Sequence, residues 1–180
     1  MNTAYIALGA NLPSPAGPPA ATLVAAVRRL GTLGNVELQS SLYSTEPVGF
    51  AHQPRFLNAV VAFETDLNAR TLLNKLLSME KEFGRDRTAG IPNGPRSLDL
   101  DILLVGGLKL NEPGLELPHP RLSERAFVLV PLAEIAPHLV IPGLEITAAE
   151  LLHSLQTTRK GDVNAVVRIE NDDWRIASAS

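Results

Sequence analysis

Between Phe56 and Thr65 the chain reads "FLNAVVAFET", a run of ten residues rich in apolar and β-favouring types. It is the strongest strand signal in the sequence. Around it the hydrophobic period changes repeatedly. "TAYIALG" (3–9) has strand composition and stops at a Gly-Ala-Asn turn, and Pro13, Pro15, Pro18 and Pro19 then forbid regular structure. Leu23, Val27 and Leu30 share one helical face, which predicts a helix from about Ala20 to Leu33. Residues 36–45 alternate as a strand. Leu72, Leu73, Leu76, Leu77 and Phe83 recur at spacings of three and four, which predicts a helix over 69–83. A loop, 84–96, then feeds a strand at 97–105. Beyond it come a short extended piece near 108–111, the turn-rich "LPHPRLSER", and helices near 126–136 and 147–157. No repeat or low-complexity segment is present, and the polar stretch from about 158 is expected to attach loosely. The β-α-β-β-α-β order of the first 105 residues predicts an α+β fold of the ferredoxin-like kind, an antiparallel sheet with flanking helices.

Two positions break this pattern in ways that point to chemistry. Asp99 and Asp101 stand at alternate positions of "GPRSLDLDILL", a strand where aspartate is disfavoured. Residues i and i+2 share a face about 6 to 7 Å apart, so both carboxylates can grip a hard cation while Leu98, Leu100 and Ile102 serve the packing. A solvated, charge-protected edge strand is the alternative. Arg96 lies three residues before the pair, and Arg85 and Arg87 lie in the loop that feeds it. Cation-holding carboxylates among arginines suit a polyphosphate, whose oxygens pair with both metal and guanidinium. The second anomaly is Glu80, on the same helical stripe as Leu73 and Leu76. It reads either as a helix-end carboxylate turned to water or as an acceptor for a buried polar ligand.

Other candidates are weaker singly. Asn58 inside "FLNAVVAF" offers donors and acceptors suited to a heterocycle edge, or is satisfied by backbone. Phe56 and Phe127 could stack on a flat ring or fill a core. His119, between two prolines, could meet a phosphate or ribose, but no second His or Cys stands at metal-ligand spacing. His52, His138 and His153 read as ordinary residues, and no GxxxxGK[ST] motif occurs.

Composition narrows the classes. With 180 residues, 45% of them hydrophobic, the chain suits one core. A net charge of -3 argues against a general binder of nucleic acid or anionic membrane. Cysteine is absent, which removes disulfides and thiolate metal sites and fits a reducing cytoplasm. No basic leader and no stretch of roughly 20 apolar residues is seen, so an unprocessed protein without a membrane span is expected.

Together the segments "AYIALGANL", "SSLYSTEPVGF", "QPRFLNAVVAFET", "GPRSLDLDILL" and "LPHPRLSERAFVLVPLAEIAP", over about residues 4–142, resemble the 6-hydroxymethyl-7,8-dihydropterin pyrophosphokinase family. A single pyrophosphokinase domain is expected over 1–160, with a polar tail at 161–180 that has no counterpart in the family. A cytoplasmic monomer engaging neither nucleic acid nor membrane is expected, and the resemblance implies transfer of the β,γ-diphosphate of ATP to a pterin alcohol in tetrahydrofolate biosynthesis. It assigns two Mg²⁺ ions to Asp99 and Asp101, nucleotide-phosphate contact to Arg96, and ATP binding also to Glu80, His119 and Arg125. It assigns the pterin pocket to Thr45, Val48, Phe56, Asn58 and Phe127, the last as stacking face. Arg87 corresponds to the catalytic-loop arginine, with Arg85 as the alternative for that role. In one place the chain departs from the family: "GIPNGPR" carries Pro92 and Asn93 where a basic residue and a tryptophan are common, with one residue apparently inserted. Loop 84–95 is expected to close over ATP. Two other readings remain open: a ligand-binding regulatory domain with no need of the aspartate pair, and a nucleotidyltransferase attacking the α-phosphorus.

Overall fold

Each helix of the first half forms because its apolar stripe has a sheet to cover. Helix α1 (Pro19–Leu30) starts on a proline, whose missing N–H costs nothing at that position, and buries Leu23, Ala26, Val27 and Leu30. Helix α2 (Ala69–Glu82) is capped by Asn68, whose side chain accepts from the Thr71 N–H at 2.8 Å, and buries Leu72, Leu76 and Met79. Leu73 and Leu77 are only half-buried. The computed structural model describes residues 1–49, 52–88, 92–158 and 165–174.

Strands β1 (Asn2–Ala10), β4 (Phe56–Thr65) and β5 (Asp99–Val105) form the centre of one antiparallel sheet. Its order is β5-β1-β4-β3-β8, with β2 also paired to β4. Here β2 is Asn35–Gln39, β3 is Leu42–Thr45 and β8 is Val167–Ile169. This is the ferredoxin-like order predicted by the element pattern, with α1 and α2 on one face. Leu23, Leu30, Leu72 and Leu76 meet Ile6, Leu8, Val61, Phe63 and Leu100 there. Helices α3 (Ala126–Ile135) and α4 (Ala148–Thr158) cover the other face, packing Leu129, Leu132 and Leu151 on Val60 and Leu103. The sheet is therefore sandwiched between two helical layers, which explains why β4 is buried along nearly its whole length. A small hairpin, β6 (Leu110–Glu112) and β7 (Leu115–Leu117), follows β5. Among the described residues no helix is long and apolar enough to cross a membrane.

The strand expected over 36–45 is divided in two. At the break the Ser40 hydroxyl accepts from the Val60 N–H at 3.0 Å, and the Ser41 N–H donates to Glu134 of α3 at 2.9 Å. Side chains take over bonds that a regular ladder would make, and the pairing with β4 shifts by one residue, from Gln39 opposite Val61 to Tyr43 opposite Asn58. Of the segment expected to attach loosely, the described residues 165–174 have defined partners: β8 pairs with β3, and Trp174 is 1% exposed against the α1 side of the core. Its indole N–H donates to the Ser40 carbonyl at 2.7 Å, so the same break anchors the end of the described chain.

Trp174→Ala is expected to lower unfolding free energy by about 3 to 5 kcal/mol, as for other buried aromatic truncations. Urea titration followed by circular dichroism measures it, and an unchanged midpoint would show that this segment adds nothing to the core.

Candidate functional site

The register of three strands builds the site. Asp99 on β5 pairs with Gly9 on β1, which pairs with Asn58 on β4, and Asp101 lies beside Ala7. Paired residues share a face, so Asp99 and Asn58 look out from the same side of the sheet with only a glycine between them. A Cβ at Gly9 would lie 3.0 Å from Asn58 Oδ1, so the missing side chain is what leaves room there.

Above this row lies a cleft of about 640 Å³, counted out to open solvent. Thr45, Val48, Phe56, Asn58 and Phe127 line it together with Arg96, Asp99, Asp101 and Arg125. The strand pairing delivers Thr45 and Phe56 opposite each other on β3 and β4, and the first turn of α3 delivers Phe127. Asn58 donates to the Thr45 hydroxyl at 2.7 Å, which fixes the amide edge presented to the cleft. Val48 stands exposed at the rim. The Arg96 guanidinium lies over the Phe56 ring at 5.2 Å and that of Arg125 over Phe127 at 5.7 Å. Among the described residues Arg96 Nε is buried without a hydrogen-bond partner, so this side chain keeps donor capacity for an incoming oxyanion.

A second cleft, of about 1180 Å³, opens on the other side of Asp101. Arg87 and His119 line it with the apolar side chains Leu73, Leu77 and Ile102. The His119 backbone is tied to β5 through its N–H to the Leu103 carbonyl at 2.8 Å. Burial pushes the imidazole below its ordinary value, with Arg125 and Arg121 adding to that and Asp101 opposing it. The neutral ring is thereby favoured. Asp101 lines both clefts and marks where they meet.

Behind the strand, Glu80 is 1% exposed. Its Oε1 accepts from Arg85 Nη1 and from the Leu100 N–H, each at 2.9 Å, and its Oε2 accepts from Arg87 Nε at 3.0 Å and Nη2 at 2.6 Å. Burial pushes this carboxyl up, while the Leu100 N–H and the two arginines pull it back. The residue is neither turned to water nor open to a ligand, because protein donors occupy both oxygens. Arg85 is 13% exposed and bridges on to Asp99, whereas Arg87 is half-exposed. Both alternatives for the loop arginine therefore converge on one carboxylate.

The two aspartates differ in their surroundings. Burial raises the Asp99 carboxyl, but Arg96 at 3.5 Å, then Arg85 and Arg87, outweigh it and hold it below the usual range. Asp101 is raised by burial and next by the charge of Asp99, with His119 and Arg125 offsetting only part. Arg125 Nη1 approaches Asp101 Oδ2 at 3.3 Å. Two partly exposed carboxylates on one wall, one of them destabilised by the other, are a donor set for a hard cation. Among the described residues no cluster of three or more His, Cys, Asp or Glu could hold a metal by itself. Further oxygens would have to come from a bound phosphate and from water.

Four other residues, Asn11, Gly9, Glu46 and Arg121, belong to the site without having been singled out from sequence. Asn11 is 3% exposed and links three segments: its Oδ1 accepts from the Arg96 N–H at 2.8 Å, and its Nδ2 donates to Gln53 at 3.0 Å and to the Pro54 carbonyl at 2.9 Å. Gly9, Arg121 and Asn93 line the first cleft. Asn93 adopts a positive φ of 58°, and its side chain lies against Gly49, at φ 92°. A polar residue ending an apolar strand at "GAN" was the only local sign for Asn11.

A family model described as 7,8-dihydro-6-hydroxymethylpterin-pyrophosphokinase (HPPK) matches residues 5–137. The 2-amino-4-hydroxy-6-hydroxymethyldihydropteridine pyrophosphokinase of Methylorubrum extorquens is 43% identical over 151 residues, covering 83% of this chain and 92% of the relative. The protein of the same name from Pseudomonas aeruginosa is 46% identical over 138 residues, 77% of this chain and 83% of the relative. Among solved structures, a Plasmodium falciparum HPPK-DHPS chain superposes with a TM-score of 0.65 at 15% identity, which speaks to the fold alone. The alignment covers 93% of this chain and 47% of that one, so this chain spans about half its length.

The electrostatics predict a stability gain from removing one aspartate. A carboxyl whose folded pKa is raised stabilises the fold only while protonated, and that contribution is lost as pH rises through the folded pKa. Asp101→Asn should therefore raise the melting midpoint in EDTA at pH 7, the gain fading as pH falls toward the ordinary carboxyl value of 3.8. A lower midpoint for the variant at pH 7 would contradict this.

Proposed function

The chain belongs to the 7,8-dihydro-6-hydroxymethylpterin-pyrophosphokinase family, and from that premise we propose that it transfers the β,γ-diphosphate of ATP to the alcohol of 6-hydroxymethyl-7,8-dihydropterin. The reaction belongs to folate synthesis and yields AMP and the dihydropterin diphosphate. The observation that carries the reading is the position of Asp101, shared by a narrow aromatic cleft and an arginine-bearing one.

The pterin ring enters the first cleft, where Phe56 and Phe127 offer flat faces and the Asn58 amide, oriented by Thr45, offers an edge to the heterocycle. Val48 closes the rim. ATP occupies the second cleft, its base against Leu73, Leu77 and Ile102 and its phosphates toward Asp101, within reach of Arg87 and His119. Arg96 and Arg125, resting on the two phenylalanine rings, are placed to turn their guanidinium groups to phosphate oxygens. Arg85 and Arg87 complete the cationic wall.

Asp99 and Asp101 would hold Mg²⁺, two ions by the family resemblance; when bound it neutralises phosphate charge and makes AMP a better leaving group. The chain's own residues supply alignment. The hydroxymethyl oxygen is held where the clefts meet and attacks the β-phosphorus. A new O–P bond forms there, the bond from that phosphorus to the α,β-bridging oxygen breaks, AMP departs with the bridging oxygen, and the alcohol's proton passes to solvent. Because this transfer asks little covalent chemistry of the protein, positioning and charge stabilisation carry the rate. The expected closure of loop 84–95 over ATP falls in part on residues 89–91, which lie outside the described residues.

Asp99→Ala and Asp101→Ala are each expected to lower turnover by about a hundredfold or more, since several kcal/mol of charge stabilisation goes with the cation. Circular dichroism and melting should show a retained fold. Full activity in both variants would sink the metal assignment.

A further inference from the structure

Among the described residues Glu80 is the one buried carboxylate that touches both loop arginines, and its geometry leaves no room for a ligand. Each oxygen already accepts two hydrogen bonds from protein. One of those donors is the N–H of Leu100, the residue between the two aspartates, so the carboxylate is tied to the strand that bears them. A second, Arg85 Nη1, extends from Glu80 Oε1 to Asp99. The remaining two come from one edge of Arg87, through Nε and Nη2. Arg87 is half-exposed and lines the second cleft, so this grip fixes where its free edge points.

Resting on the ATP reading above, we propose that Glu80 is a positioning residue: without touching the nucleotide, it holds Arg85 and Arg87 in the place where they meet the polyphosphate. Without its charge, Arg85 has Asp99 as its nearest carboxylate partner and competes with any cation there. Arg87, a long side chain with half its surface in water, loses the contact that orders it. Two guanidinium groups that must be ordered during the reaction cost catalytic rate, while their attraction to phosphate in the ground state survives.

The test is Glu80→Gln, which keeps size and one acceptor but removes the charge. The expected result is a fall in kcat of about tenfold or more, with the affinity for a non-hydrolysable ATP analogue, measured by calorimetry, changed by less than about threefold. In a chain carrying Arg85→Ala and Arg87→Ala, the same change should cost less than about twofold, because the groups it acts through are gone. A variant that turns over like the wild type overturns the proposal. So does one whose main defect is a tenfold weaker analogue affinity that persists in the arginine-free background, which would make Glu80 a ligand contact. An independent readout is the Arg87 Nε–H resonance in ¹⁵N spectra of the ligand-free protein. Slow solvent exchange in the wild type and fast exchange in Glu80→Gln are expected, and equal exchange would overturn the placement. Absence of wild-type turnover would refute the functional reading alone, since the resonance reports on Glu80 without it.

Discussion

A carboxylate buried on the apolar stripe of a helix costs several kcal/mol unless the fold supplies donors, and the fold supplies four to Glu80. Satisfying it fixes three parts of the molecule at once. Helix α2 is held at a set height against β5, the chain leaving α2 must turn back so that Arg85 and Arg87 reach the carboxylate, and Asp99 gains Arg85 as a neighbour. The chemistry at the front of β5 thus depends on a charge buried behind it. Removing that charge would leave the leucines in place and the arginines without a reason to converge.

Sheet register does the complementary work on the other face. Asp99, Gly9 and Asn58 form one row across three strands, and the glycine keeps the middle of the row empty. Helix α3 closes this space with Phe127 from its first turn, and its far end is fastened to β3 through Glu134, which accepts from Ser41 and from the Tyr43 hydroxyl. Burial and then the hydrogen bond to Glu134 push the Tyr43 phenol up to about 12, so it stays a neutral donor at any physiological pH. Both walls of the aromatic cleft are therefore set by contacts that lie outside it.

The parts legible in the sequence were those written in local pattern. Alternation and 3.6-residue periodicity predicted β1, β4, β5, α1 and α2, and two aspartates in a strand marked the site because nothing about packing asks for them. Glu80 stood out for the same reason, although its role in collecting arginines could not be read from a helix stripe; Leu100 and Arg87 reach it from elements with no local link to that face. The break at Ser40 and Ser41 was hidden because its causes, Val60 and Glu134, are distant in sequence. Trp174 looked like part of a polar tail because one aromatic carries little weight in composition and a great deal in a core. Asn11 was equally hard to see: an asparagine at a strand end usually marks a turn, and only the fold shows it linking Arg96 to Pro54.

The account stands or falls on which phosphorus is attacked. Incubating the purified chain with ATP, Mg²⁺ and 6-hydroxymethyl-7,8-dihydropterin and following the mixture by ³¹P spectroscopy and chromatography decides it. The account predicts AMP and the pterin diphosphate in equal amounts, with both abolished by EDTA. Release of inorganic pyrophosphate together with an adenylylated pterin would contradict it, because the two clefts would then be aligning the alcohol on the α-phosphorus.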